Sequence, residues 1–259
     1  MITMMQDTLG LASGVLAGFS VGLVGGGGSV LAVPLMVYVV GVSSAHVAIG
    51  TSAIAVAVNA AINLRRHLRG GHVRWSSALV FAAAGIAGAI SGSALGKLVD
   101  GDNLLVMFAL LMLAIAGLML GTRSDQRAAG VDIGIASTPA LLALGLVIGT
   151  LAGVFGIGGG FLIVPALMLA TGMAITGAIA SSLVAVTAFG ITTAASYAWS
   201  GLIAWPLALT FVLGGIVGRL AGTASARYLA LRRSALDTVF ASIIIVVALY
   251  MLAHNIYVT

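Results

Sequence analysis

Long apolar runs fill almost the whole chain and are broken only by glycine, proline or small groups of charge. Those breaks leave ten apolar segments, at about residues 8–24, 28–41, 47–64, 76–98, 103–121, 137–155, 159–172, 175–199, 203–224 and 235–253. A spanning helix needs about 20 apolar residues, and most of the segments approach or pass that length. The pattern predicts an all-α membrane protein, because only helices and closed barrels satisfy their own backbone in lipid. Segments one, two, six and seven are the short ones. They read equally well as tilted spans or as re-entrant hairpins.

The number ten divides into two. GFSVGLVGGGGSVLAVP, from Gly18 to Pro34, matches GTLAGVFGIGGGFLIVP, from Gly149 to Pro165, at an offset of 131. Further along, Gly50-Thr51-Ser52 answers Ala180-Ser181-Ser182, Trp75 answers Trp205, and Gly85, Gly88 and Gly92 answer Gly215, Gly218 and Gly222, now at an offset of 130. We expect a single transmembrane domain, 1–259, made of repeat one at 8–121 and repeat two at 137–253. The opening MITMMQDTLG has no basic leader, so a cleaved signal peptide is not expected.

Charge orients the halves. The loop after segment three carries Arg65, Arg66, Arg69 and Arg74, whereas the loop after segment four carries Asp100 and Asp102. In the second half the pattern is swapped, with SGLI uncharged and Arg227, Arg232 and Arg233 following segment nine. Short cytoplasmic loops collect Lys and Arg, so equivalent loops lie on opposite faces. That makes the repeats inverted in topology, with both termini outside and Arg123 and Arg127 inside.

Composition agrees and narrows the function. Hydrophobic residues make up 61% and charged ones 7% of 259 residues, and mean hydropathy is +1.23. No soluble module fits beside the membrane domain. The formal charge of +5 is an orientation signal here, so a nucleic-acid partner is not expected. With no cysteine, disulfides, thiol catalysis and cysteine-bound metals are excluded. His46, His67 and His72 lack the carboxylate company of a metal site and are given surface roles. No cofactor and no enzymatic activity are expected, since no nucleophile, base or metal cluster lies at depth.

The chemistry concentrates in the paired glycine blocks. Close packing explains glycines spaced by four, such as Gly14, Gly18 and Gly22 or Gly88, Gly92 and Gly96. It does not require three or four adjacent glycines with a proline six residues on. Helices starting at Ser29 and Gly160 would aim free N–H groups and a positive dipole end at the block before them, which is a cradle for an anion. The expected substrate-binding residues are Gly25, Gly26, Gly27, Gly28 and Ser29 in one half and Gly156, Gly158, Gly159 and Gly160 in the other. Pro34 and Pro165 shape the helices that follow.

The doubled block G-x-x-x-G-x-x-G-x-G-G-G-x-x-x-x-P, with the Gly-Thr-Ser after its first copy, resembles the TauE/SafE or sulfite exporter family over nearly the whole chain. By position the motif residues are Gly22, Gly25, Gly27, Gly28 and Pro34, then Gly153, Gly156, Gly158, Gly159, Gly160 and Pro165. Ser29 stands where the first half lacks the third motif glycine. The resemblance implies a bacterial-type inner-membrane permease for sulfite, sulfonates or related organic anions.

Polar residues inside the segments extend the site. Ser52, Asn59 and Asn63 share one face of segment three, and Thr51, Ser181 and Ser182 flank or answer it. Such faces look into the bundle, for interhelical hydrogen bonds or for substrate. Arg219 is a guanidinium well inside a segment; it either pairs with an anion or snorkels to the cytoplasmic face. Lys97, Trp75 and Trp205 read as interfacial anchors. The six acidic residues, Asp7, Asp100, Asp102, Asp125, Asp132 and Asp237, avoid mid-segment positions, so proton or sodium coupling through a buried carboxylate is not expected. The function expected is a secondary transporter moving a small anion by alternating access. An anion channel or a carrier of another solute are the alternatives. The expected partners are the anion and the lipid bilayer, with a homodimer admitted.

Overall fold

The computed structural model describes residues 4–24, 26–68, 73–121, 138–228 and 233–258. Among them no strand occurs, and the helices follow the apolar segments one for one. They are α1 (Met4–Val24), α2, α3 (Ala45–Leu68), α4 (Trp75–Leu98), α5 (Gly101–Gly121), α6 (Thr138–Phe155), α7 (Gly160–Thr171), α8 (Ile175–Trp199), α9 (Trp205–Tyr228) and α10 (Arg233–Val258). Seven of these, α3 to α6 and α8 to α10, are long and apolar enough to cross a membrane.

Segment α2 is irregular. It joins a 3₁₀ turn, Gly26–Leu31, a single α turn, Ala32–Pro34, and a π turn, Leu35–Val39. Glycines and the missing N–H of Pro34 weaken the regular ladder on one side, and widened bonds such as Val40 N–H to Leu35 O, 3.0 Å, take over on the other. Its equivalent, α7, is a regular helix of 12 residues that keeps Pro165 inside and ends at Gly172, φ +63°. The expectation that the first-half helix starts at Ser29 is corrected: helical backbone begins at Gly26, in 3₁₀ form.

Glycine decides which helices meet. A Cβ at Gly14, Gly18 or Gly22 of α1 would overlap main chain of Phe211, Gly215 or Arg219 on α9. Gly145, Gly149 and Gly153 of α6 lie in the same way on Phe81, Gly85 and Ala89 of α4. Lipid offers no hydrophobic drive for helices to associate, so close backbone contact supplies the attraction. The order of these contacts shows that α1 runs parallel to α9 and α6 parallel to α4. These are the two most extensive helix pairings in the described chain.

Hydrogen bonds between helices fix the remaining directions. Ala204 N–H donates to Thr51 Oγ1 at one end and Arg219 Nη1 to Asn59 O further along, so α3 runs with α9. Arg74 N–H donates to Ser181 Oγ, and Lys97 Nζ to Ser200 Oγ, so α4 runs with α8. Between α3 and α8, Gly50 meets Tyr197 and Gly190 meets Ala57, which is antiparallel. Two four-helix groups result: α1, α2, α3 and α9, against α4, α6, α7 and α8. Each group mixes both sequence halves. Helices α5 and α10 pack on one another, with Asn255 Nδ2 donating to Asp102 O at 3.1 Å.

Candidate functional site

The two glycine blocks come together. Ser29 Oγ donates to the carbonyl oxygen of Ile157 at 3.0 Å, joining the start of α2 to the turn before α7. Ser29, Val30, Ile115, Ile157 and Gly159 to Leu162 line the crevice between them, which leaves no room for a water molecule. Gly25 lies outside the described residues.

The blocks differ in shape. In the second, Gly156, Gly158 and Gly159 all hold left-handed backbone, with φ of +66°, +65° and +66°. That is the reason for glycine there, since an L side chain is strained in this region. The turn they make presents the start of α7. Leu162 and Ile163 N–H both donate to Gly159 O, so the amides of Gly160 and Phe161 precede the first rung of α7, and both residues line the crevice. In the first block, Gly28 packs on the backbone of Ser20 and Val21 of its own hairpin.

The glycine surfaces are covered. Gly156 lies on Ile49, Gly158 between Val56 and Val186, and Gly159 against Ile148. Val56 and Val186 are repeat equivalents, so the second block reaches the place where the two groups of helices cross. Gly156 and Gly158 are packed by neighbouring side chains, while Gly159 and Gly160 line the narrow crevice.

Other expected site residues divide by role. Thr51 Oγ1 accepts from Ala204 N–H at 3.1 Å and Ser181 Oγ from Arg74 N–H at 3.0 Å. These are equivalent bonds at an offset of 130, and each ties the entry of α9 or α4 to the helix beside it. Ser182 Oγ donates to Ile179 O at 2.9 Å. Ser52 Oγ, by contrast, is buried without a hydrogen-bond partner. Asn63 is half-buried, its carbonyl 3.1 Å from His67 Nδ1, and it stays apart from the crevice.

Asn59 and Arg219 form a second polar point. Asn59 Nδ2 donates to Ala55 O at 2.9 Å, which fixes the amide and leaves Oδ1 buried without a partner. The amide occupies the space beside Gly215 where a Cβ would stand. One turn on, Arg219 is 7% exposed and its Nη1 donates to Asn59 O at 2.7 Å. Arg219 therefore turns inward, and the snorkelling alternative is set aside. At the equivalent place in the other group the Phe189 ring fills the space beside Gly85 and stacks on Phe81.

Lys97 is more engaged than an interfacial anchor. Its Nζ donates to Ser196 O, Ser196 Oγ and Ser200 Oγ at 3.2, 3.1 and 3.0 Å, closing the C-terminus of α8. Sequence reasoning missed these partners because they are 99 and 103 residues away. Trp75 and Trp205 stand exposed at the starts of α4 and α9.

Comparison with known proteins supplies the family. The description "Sulfite exporter TauE/SafE" belongs to the family model that matches residues 10–251. A protein of Xylella fastidiosa named probable membrane transporter protein is 47% identical over 243 residues, 93% of each chain. One of Bacillus subtilis with a like name is 29% identical over 232 residues, 82% of this chain and 85% of that one. One of Haemophilus influenzae is 31% identical over 221 residues, 80% and 78% of the two chains. No solved structure matches the chain. With the doubled glycine motif, the helical membrane fold and a match along nearly its full length, the chain belongs to the TauE/SafE sulfite exporter family of membrane transporters.

Proposed function

We propose that this transporter moves a small sulfur-containing or organic anion, with sulfite and sulfonates as the leading class, by alternating access across a bacterial-type inner membrane. The observation that carries the reading is the meeting of two glycine turns from different halves, Ser29 against Ile157, at the N-terminal end of α7. A helix N-terminus at a break in the helical ladder is a place where an anion is stabilised, and broken helices facing each other are a feature of secondary transporters.

The repeats are inverted in this reading. Helices α3 and α8 are equivalent in sequence and run in opposite directions; since α9 follows α3 and α4 follows α8, the equivalents α4 and α9 oppose as well. Arg65, Arg66 and Arg74 then mark the cytoplasmic end of α3 and the start of α4, and both termini lie outside. The α1–α2 hairpin enters from outside and the α6–α7 hairpin from inside.

Among the described residues no aspartate lies near the middle of a helix. An anion leaving a cell that is negative inside gains about 2.3 kcal/mol per 100 mV, equivalent to about a 50-fold gradient. Export driven by the potential alone is the simplest mechanism. Proteoliposomes loaded with sulfite or a small sulfonate and clamped at opposite potentials test it. Efflux that follows the potential is expected. Transport indifferent to voltage removes the electrogenic step, and no flux of any sulfur anion removes the substrate class.

A further inference from the structure

The two helix groups are built on one plan, but their interiors are filled differently. On α1, Ser13 and Ala17 stand where α6 has Leu144 and Ile148; on α2, Ala32 stands where α7 has Ile163. The α4–α6–α7–α8 group is closed by Ile148, Ile163 and Phe189 in one apolar cluster. At the places of Ile148 and Ile163 its partner group has Ala17 and Ala32, buried with Met36, Leu207 and Phe211. At the depth where one group has Phe189 and Ala89, the other has Asn59 and Arg219.

Unpartnered polar atoms lean the same way among the described residues. Asp7 Oδ1, Ser13 Oγ, Ser52 Oγ and Asn59 Oδ1 are buried without hydrogen bonds on α1 and α3, against Thr193 Oγ1 alone on α8, and Ser13 and Ser52 are wholly inaccessible. Burying such groups without partners costs stability, so a native chain that keeps them needs a reason. Ser52 and Asn59 lie on one face of α3, two turns apart, and Ser13 is one turn from Ala17 on α1.

We propose that, besides the glycine turns, the anion is held within the α1–α2–α3–α9 group, its oxygens attracted by Arg219 and a hydroxyl or amino group of the same molecule donating to Asn59 Oδ1. The inference rests on the anion-transport reading and sharpens it. One Asn59 N–H is held by Ala55 O, and the atom left without a partner is Oδ1, an acceptor that a donor on the substrate satisfies and an oxyanion oxygen does not. The ligand class is therefore a small oxyanion that carries a hydrogen-bond donor: hydrogen sulfite, or a hydroxy- or amino-sulfonate. Arg219 supplies charge and Asn59 supplies selectivity.

Initial transport rates of 2-hydroxyethanesulfonate and propane-1-sulfonate, equal in charge and alike in size, test the assignment in proteoliposomes of the full chain. The wild type is expected to favour the hydroxyl compound by about tenfold. Asn59→Leu should bring the two rates together, and Arg219→Met should lower both by more than about tenfold. Phe189→Leu, at the equivalent place in the other group, should leave the preference intact. Equal wild-type rates, a preference that survives Asn59→Leu, or one that Phe189→Leu erases would each overturn the site. If Asn59→Leu is not recovered as a monodisperse protein, the wild-type ratio still decides. Failure of the wild type to move any sulfur anion defeats the functional reading itself, whereas flux without the hydroxyl preference defeats this site alone.

Discussion

At the scale of the residue, the polar atoms split into those that hold helices and those left open. Thr51 and Ser181 belong to the first kind. Thr51→Val keeps the shape but strands the Ala204 N–H, and should lower stability by about 1 kcal/mol, read as a lower melting temperature in detergent. Ser181→Ala should do the same at Arg74. Gly159 belongs with neither. At φ +66°, with Ile148 Cγ2 3.0 Å from where a Cβ would lie, Gly159→Val strains the turn and crowds the crevice together. Transport by Gly159→Val should be lost while the protein still inserts, checked by flux and by recovery from the membrane fraction; normal flux would count against any role for the turn. The sequence exposed the polarity of Ser52, Asn59 and Arg219. It could not say that Thr51 would be consumed by a main-chain amide 153 residues away, because the partner is set by helix packing.

At the scale of the element, apolar length made the helices legible. Each of the ten segments became one helical element, and α3 and α10 grew by a few residues at their ends beyond the expected limits. The irregular α2 was not legible. Glycine runs and proline tell where a regular ladder is weak but not whether it gives a 3₁₀ turn, a π turn or an open turn, and the two blocks resolve differently because Ser29 replaces a glycine and reaches Ile157. Glycines spaced by four announced close packing, although the pairing of α1 with α9, across the halves, appears only in the fold. Position matters more than identity here. Gly18→Leu would press into the Gly215 carbonyl and should destabilise by about 3 kcal/mol or more, whereas Gly117→Ala, with nothing within 4 Å, should leave the melting temperature unchanged or slightly raised. Similar losses from both would show that α1 does not lie on α9.

At the scale of the whole molecule, the moving parts need not be the sequence halves. Glycine contacts bind α1 to α9 and α6 to α4 so closely that each hairpin is tied to a helix of the other half. Contact between the two groups is made along α3 and α8, where Gly190 meets Ala57. Under the proposed alternating access, the groups are expected to rock against each other along that line, each staying intact within itself. The chain has no cysteine, so introduced pairs report without background. A disulfide between Ala57→Cys and Gly190→Cys joins the groups and should stop transport until a reductant is added. A disulfide between Gly10→Cys and Thr210→Cys lies within one group, where Thr210 Oγ1 is 2.9 Å from the place of a Gly10 Cβ, and should leave most of the flux. The opposite result, arrest by the second bridge and tolerance of the first, would place the motion between each hairpin and its glycine-packed partner, and the two groups could no longer be treated as the rigid units of the cycle.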